Sequence, residues 1–180
     1  MKAYSINPEI QEIKEIDIEI QADTAYSFFS SLLIDEASTI ANHIIYSDAN
    51  ALNNQKKPFF IGGQLVLGEV LIVGKDGLED IEASIPQDEL ATLVSYEVPD
   101  FYQEVIELIS SSNINFYRAF SVDKASEKIQ LSIEWVLLTF NIADIATQNY
   151  FLTELKKAID MDEDIAIFMQ KMAQLAVNAI

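Results

Sequence analysis

The sequence has no cysteine and only one histidine among its 180 residues. A disulfide framework is therefore excluded, and the absence of thiols is typical of a reducing compartment. A zinc site built from Cys and His is excluded as well, because at most one such ligand is present. These absences predict a cytoplasmic protein that carries no metal or other cofactor.

Long apolar runs are also missing. A membrane-spanning helix needs about 18–20 uncharged residues, and no apolar stretch of the sequence is that long. Residues 1–10 also lack the basic segment followed by an apolar one that is typical of a signal peptide. Neither a secreted nor a membrane-embedded protein is expected. Half of the residues are nevertheless hydrophobic, so a chain of this length can bury a core without disulfides or metals.

Basic residues are scarce, since 11 Lys and Arg stand against 29 Asp and Glu, which gives a net charge of −18. The two longest segments without Lys or Arg both contain acids: one lies between Lys14 and Lys56, the other between Lys75 and Arg118. We call them the two base-free segments. They predict a strongly negative field over part of the surface, which makes nucleic acid and anionic membrane poor direct partners.

Two interpretations of this charge remain open. The ordinary one is solubility, because self-repulsion keeps acidic proteins apart. The sharper one is mimicry of nucleic-acid charge, in which carboxylates on a rigid scaffold occupy a basic surface of a nucleic-acid-binding protein. The residues expected to bind such a partner are acids of the second base-free segment: Asp76, Glu79, Asp80, Glu82, Asp100, Glu104 and Glu107.

The first half of the chain is predicted to be a strand-rich α+β module over residues 1–95. Alternation of Ile and acids over 15–20 predicts a strand that pairs with residues 3–6 as a hairpin. A helix is expected from Asp23 to about Ile34, and a strand over 43–46. Phe59–Ile61 and the apolar run Leu65–Val73 are predicted to form the central strand pair of a sheet, with a bulge at Gly68, and helices are expected over 86–96 and 99–110.

The second half, residues 96–180, is predicted to contain a hairpin followed by helices and to pack on the first half as one compact unit. Strands are expected over 114–122 and 129–140, which places Trp135 in a strand. Two helices are expected at the end, over 143–159 and 162–180, with Asp160 and Glu163 as a capping box for the second. The fold class is therefore α+β: two small antiparallel sheet modules with packed helices, ending in two C-terminal helices.

No residue pattern supports catalysis. A nucleophile needs an adjacent base, and His43 lies in an apolar context that indicates a structural imidazole. The acids at 160, 162 and 164 resemble the start of a calcium loop, but position six is Ile165 rather than Gly and position twelve is Lys171 rather than Glu. The glycine pairs match no phosphate-binding spacing. We therefore predict that the protein is not an enzyme.

Several short motifs in the N-terminal half carry a resemblance to a known family. These are Met1-Lys2-Ala3, Ile6-Asn7-Pro8, Asp48, Pro58-Phe59-Phe60-Ile61-Gly62, Gly68 and Leu71-Ile72-Val73-Gly74. Together they resemble a small domain of unknown function that is common on phage, plasmid and conjugative-element genomes. The resemblance implies no catalytic residue. It does imply a context, since mobile elements carry small acidic proteins that inhibit host restriction or CRISPR nucleases.

The favoured prediction is thus a non-enzymatic mobile-element inhibitor that binds a basic host protein. One alternative is a small-ligand module or sponge, in which Arg118 or Lys75 holds a nucleotide or another anion. Another is a structural homodimer built through the C-terminal helix. In that case the stripe of Ile165, Phe168, Met169, Met172 and Leu175 would pack across the interface.

Overall fold

The computed structural model describes residues 1–19, 24–30, 34–49, 51, 54, 56–77, 79–111, 119–124, 127–161, 163 and 165–179. The chain divides into two compact units, Met1–Val98 and Pro99–Ile180. The predicted boundary at residue 95 lies close to this division. That the two halves pack as one compact unit stays a prediction.

The first unit is built mainly from strands. Its described elements are β1 (Lys2–Asn7), β2 (Glu12–Asp17), α1 (Thr24–Phe29), β3 (Ile34–Ile40), β4 (His43–Asp48), β5 (Pro58–Ile61), β6 (Gln64–Leu67), β7 (Val70–Asp76), β8 (Glu79–Ile81), α2 (Gln87–Leu93) and β9 (Val94–Ser95).

Six of these strands form one antiparallel sheet, in the order β2-β1-β7-β4-β3, with β8 also paired to β7. β1 pairs with the first part of β7 and β8 with its last part. Strands β6, β5 and β9 form a separate three-stranded sheet. The hairpin of β1 with β2 confirms the predicted pairing, but β2 ends at Asp17 and therefore contains only residues 15–17 of the strand predicted over 15–20.

Both faces of the six-stranded sheet are covered by apolar side chains. On one face, Tyr4, Ile45 and Ile72 pack in a core that includes Phe59 from the small sheet and Leu90 from α2. On the other face, a second cluster of Ala3, Ala25, Ile44, Leu71 and Val73 includes one residue of α1. This burial explains why β4 and β7 are apolar on both sides. The edge strand β2 is mostly polar and contributes one partly buried Ile to each face, Ile13 to the first core and Ile16 to the second.

Gly74 permits the close approach of β8 to β7. A Cβ atom at this position would lie 2.3 Å from the backbone carbonyl oxygen of Glu82. We expect Gly74→Ala to destabilise the first unit by about 1–3 kcal/mol, because backbone must move to relieve the overlap. Urea unfolding followed by circular dichroism measures the loss.

Gly77→Asn is the matched control for this change. Gly77 has a φ of 60° and no atom within 4 Å of an added Cβ, and Asn tolerates the left-handed region. An equal loss of stability in both variants would contradict the steric explanation.

The second unit is mainly helical. Its described elements are α3 (Asp100–Ser111), β10 (Ala119–Lys124), β11 (Glu127–Ser132), α4 (Ile133–Asn141), α5 (Ile145–Asp160) and α6 (Ile165–Ala179). β10 and β11 form the predicted hairpin, and α6 lies next to β10. The α+β class, the antiparallel sheets and the two C-terminal helices are confirmed.

Aromatic side chains from four helices meet in the core of the second unit. Phe151 of α5 is fully buried, and its ring centroid lies 5.5 Å from that of Phe101, 4.6 Å from Phe140 and 5.4 Å from Phe168. These partners belong to α3, α4 and α6 respectively. Phe151 therefore connects the four helices described in this unit.

Three other predicted elements of the first unit are wrong in extent. Helix α1 ends at Phe29, where Ser30 adopts a φ of 51°, and Ile34 begins strand β3 instead of closing the helix. Gly68 is not a bulge within one strand. It has a φ of 73° and separates β6 from β7, which belong to different sheets. Helix α2 is followed by a short strand, β9, at Val94–Ser95.

Two predictions for the second unit are also wrong. Residues 133–141 form helix α4 instead of continuing β11, so Trp135 is helical. The buried residues Val136, Leu137 and Phe140 show the spacing of a helix face. The capping box is not formed either, because Asp160 lies in the last turn of α5, and Glu163 pairs with Lys171.

Among the described helices, none is long and apolar enough to cross a membrane.

Candidate functional site

One end of the six-stranded sheet gathers acids from both base-free segments. Asp17 of β2 lies opposite Lys2 of β1, whose carbonyl oxygen accepts a hydrogen bond of 2.9 Å from the Ala83 amide just after β8. Asp76 and Glu79 face each other across the β7–β8 hairpin. We call the following set the acidic sheet end: Asp17, Asp76, Glu79, Asp80 and Glu82.

The acidic sheet end is small enough to act as one patch. Neighbouring strands are about 4.8 Å apart and residues rise about 3.3 Å along a strand, so the set extends over roughly 20 Å. Asp17, Asp76, Glu79 and Glu82 are exposed. The described cations there are Lys2, Lys75 and the ammonium group of Met1, which donates to the Ile18 carbonyl oxygen, so the five carboxylates still predominate.

Asp80 is held from inside the protein. The Tyr46 hydroxyl donates to both carboxylate oxygens, at 3.0 and 3.1 Å, and Lys75 Nζ lies 3.3 Å from Oδ1. Burial raises the pKa of Tyr46 well above its ordinary value, and Asp80 raises it further. Asp80 therefore fixes β8 on β7. Lys75, which is paired here, is not an open site for a small anion.

Glu82 accepts a long hydrogen bond of 3.4 Å from the Lys2 amide, and Lys2 Nζ forms an exposed ion pair of 3.3 Å with Glu15. Such exposed pairs contribute at most about 1 kcal/mol. The hydrogen bond joins β1 to the segment after β8, whereas the ion pair joins β1 to β2.

The other predicted binding residues lie in the second unit. Asp100, Glu104 and Glu107 are on α3, whose buried side includes Phe101 and Val105. Glu104 forms an exposed ion pair of 2.7 Å with Lys156 of α5, whereas Asp100 and Glu107 are exposed. The seven predicted residues are thus divided between two units, four on the first and three on the second.

Asp17 belongs to the acidic sheet end but is not among the seven residues predicted to bind a partner. Its sequence signal is the acidic face of the alternating strand, which is visible over 15–20. Its proximity to Glu82 depends on the position of β1 between them, and 65 residues of chain separate the two acids. Only the sheet topology brings them together.

His43 is a structural residue by its geometry. It is 3% exposed, and its Nε2 atom accepts hydrogen bonds from the amides of Ser84 (3.0 Å) and Ile85 (3.1 Å), with the Ser84 hydroxyl at 3.3 Å. The single Nε2 lone pair is thereby engaged by backbone donors, so the imidazole is poorly suited to take a proton from a nucleophile. Nδ1 must carry the ring proton.

Burial lowers the pKa of His43, and the Ile40 carbonyl and the Glu89 carboxylate offset this only in part. The ring is therefore neutral at pH 7. Its hydrogen bonds fix the segment between β8 and α2, and this segment includes Glu82 of the acidic sheet end.

The remaining motifs have structural roles or lie outside the described residues. Gly62 and Gly63 form the two-residue turn between β5 and β6, with φ values of 57° and 81°. Arg118, Asp162 and Asp164 fall outside the part that the structure describes. Within that part, no three acids or histidines are arranged to hold a metal ion.

The apolar stripe of α6 belongs mainly to the core of the second unit. Phe168, Met169 and Met172 are buried, and Phe168 contacts Phe151 of α5. Leu175 is 46% exposed, and the side chain of Ile165 lies outside the description. A dimer interface formed by the whole stripe is therefore not compatible with this packing.

No family model, curated protein or solved structure matches the chain. The resemblance of the N-terminal half to a mobile-element domain stays a prediction.

Proposed function

We propose that this protein is a non-enzymatic interaction protein whose acidic sheet end binds a basic surface of a nucleic-acid-binding protein. The observation that supports the proposal is the convergence, at one end of the sheet, of Asp17 from the first base-free segment with four acids of the second. Carboxylates that are distant in sequence become neighbours there. Solubility alone does not require such a concentration.

The physical basis is competition for a surface that evolved to hold phosphates. Nucleic-acid-binding proteins present Lys and Arg to a dense row of negative charges, and this term dominates their non-specific affinity. An acidic surface on a folded scaffold meets the same cations without sequence readout. Long-range attraction also accelerates the encounter, in a salt-dependent manner.

The proposed biological setting comes from the resemblance of the N-terminal half. In that setting the protein is a mobile-element inhibitor in the cytoplasm of a bacterial host. Its partner is a host defence enzyme, such as a restriction or CRISPR nuclease. The geometry of His43 is consistent with a non-catalytic role, because its acceptor nitrogen already binds two backbone amides.

Charge reversal tests the acidic sheet end. We expect Asp76→Lys with Glu79→Lys and Glu82→Lys to abolish capture of a nucleic-acid-binding protein from host lysate, because attraction becomes repulsion. These three residues are chosen because they are exposed, whereas Asp80 is needed by Tyr46. The measurement is affinity capture at about 50 and about 500 mM salt, with the bound protein identified by mass spectrometry.

The matched control has the same change of net charge elsewhere. Glu12→Lys, Glu97→Lys and Asp160→Lys alter three exposed acids outside the acidic sheet end, and we expect capture to persist. A further variant, Asp100→Lys with Glu107→Lys, tests the α3 acids separately. Duplex DNA should release the captured protein. Equal losses in the first variant and the control would show that only bulk charge matters and would overturn the proposal.

A further inference from the structure

The chain between β8 and α2 belongs to no strand or helix over residues 82–85. We call it the 82–85 segment. Contacts with β1 hold it in place. The Ala83 amide donates to the Lys2 carbonyl oxygen at 2.9 Å, and the Tyr4 hydroxyl donates to the Ile85 carbonyl oxygen at 2.9 Å. The position of the segment therefore depends on individual hydrogen bonds to residues far along the chain.

His43 of β4 also anchors this segment. Its Nε2 atom accepts from the backbone amides of Ser84 and Ile85, at 3.0 and 3.1 Å. The imidazole accepts only while it is neutral, because both ring nitrogens carry a proton in the charged form. Rotation of the charged ring restores no acceptor. Protonation therefore replaces two hydrogen bonds by a repulsion between N–H groups.

The surroundings of the ring determine when it becomes charged. Burial lowers the pKa of His43, and the Ile40 carbonyl of β3 and the Glu89 carboxylate of α2 oppose this shift. On β7, Lys75 is paired with Asp80. The ring is therefore neutral at pH 7 and takes up a proton below about pH 6.5, the ordinary pKa of histidine.

We propose that His43 is a pH-sensitive switch that releases the 82–85 segment from β4 when its ring is protonated. Ser84 is exposed whereas His43 is buried, so a small displacement of the segment admits a proton to Nε2. The Ser84 hydroxyl lies 3.3 Å from this atom and can accept from the charged ring. Glu82 belongs to both the segment and the acidic sheet end, so its carboxylate changes position on release.

An NMR titration of the full chain from about pH 7.5 to about pH 5 tests the switch. His43 is the only histidine, so one ring resonance reports its protonation. We expect the amide proton resonances of Ser84 and Ile85 to move upfield with the same midpoint, because these amides lose their acceptor. The Gly62 amide, which donates to the Leu93 carbonyl oxygen at 2.8 Å, is the reference, and its resonance should stay in place.

Two variants assign the effect to the ring and to its hydroxyl contact. In His43→Gln an amide oxygen accepts from the same donors without titrating, so the Ser84 and Ile85 resonances should stay constant. Ser84→Ala should lower the midpoint of the ring titration by about half a pH unit, because the charged ring loses an acceptor. Ser27→Ala is its control, since Ser27 is exposed on α1, and should leave the midpoint unchanged.

Three results would overturn the switch. One is a ring that becomes charged while the two amide resonances stay in place. Another is a movement of these resonances that persists in His43→Gln. The third is a wild-type ring that stays neutral down to about pH 5.

The effect of the switch on a partner rests on the proposed function. Capture by the wild type should be weaker at about pH 5.5 than at about pH 7.5, and His43→Gln should capture equally well at both. No capture at the higher pH would contradict the proposed function alone, because the NMR titration needs no partner. Equal capture by the wild type at both pH values would show that release does not regulate binding.

Discussion

Phe151→Ala is expected to lower the free energy of unfolding of the second unit by about 3–5 kcal/mol, the cost typical of removing a buried Phe ring. The ring contacts Phe101, Phe140 and Phe168 from three other helices. No single neighbour can fill the cavity, because each is held on its own helix. A loss of this size is comparable with the whole stability of a small domain.

Trp135 makes this prediction measurable for the second unit separately. It is the only tryptophan of the chain and lies in α4, so its fluorescence during urea unfolding reports on this unit. Tyr150→Ala is the control, since Tyr150 precedes Phe151 on α5 but is half exposed. We expect the control to cost less than about 1 kcal/mol. Similar losses in both variants would contradict the central position of Phe151.

His43→Ala is expected to destabilise the first unit by about 2–4 kcal/mol. The change removes the acceptor of the Ser84 and Ile85 amides, and a buried amide without a partner costs about 1–3 kcal/mol. The lost ring adds a cavity. Urea unfolding followed by circular dichroism measures the effect.

The same contacts predict a dependence of stability on pH. Because burial lowers the pKa of His43 in the folded state, the unfolded chain takes up a proton first as the pH falls below about 6.5. The contribution of His43 to the free energy of unfolding is therefore fully present above this pH. It decreases below this pH and stops decreasing once the imidazole of the folded protein is also protonated. Between pH 7.5 and 5.5 the midpoint of urea unfolding should fall.

His43→Gln distinguishes this titration from other effects. An amide oxygen can accept from the same backbone amides but does not titrate, so the fall between pH 7.5 and 5.5 should disappear. His43 is the only histidine, and carboxylates titrate mainly below this range. A variant that keeps the full slope would assign it to another group.

Local patterns were sufficient for the hairpins and for most helices. The alternation of Ile and acids predicted a strand that pairs with β1 and overlaps β2 over residues 15–17, and the amphipathic spacing over 99–110 predicted α3. These elements depend on neighbouring residues, which the sequence displays directly. The strand predicted over residues 133–140 was wrong because a short apolar run fits a buried strand and a buried helix equally well.

Long-range pairing accounts for the other errors. The run Leu65–Val73 looks continuous in sequence, yet it contains β6 of one sheet and β7 of another. Both strands are apolar because each lies in the same core between the sheets, as Val66 and Val70 show. The choice between one strand and two depends on partners far along the chain.

The sequence by itself determined the α+β class, the strong negative charge and the two base-free segments, because these follow from composition and local order. Only the tertiary structure decided which acids become neighbours. β1 brings Asp17 close to Glu82. Asp80 accepts a hydrogen bond from Tyr46 and pairs with Lys75, and Glu104 pairs with Lys156. The physical reason is that strand pairing and ion pairing depend on distance in space, which separation along the chain does not specify.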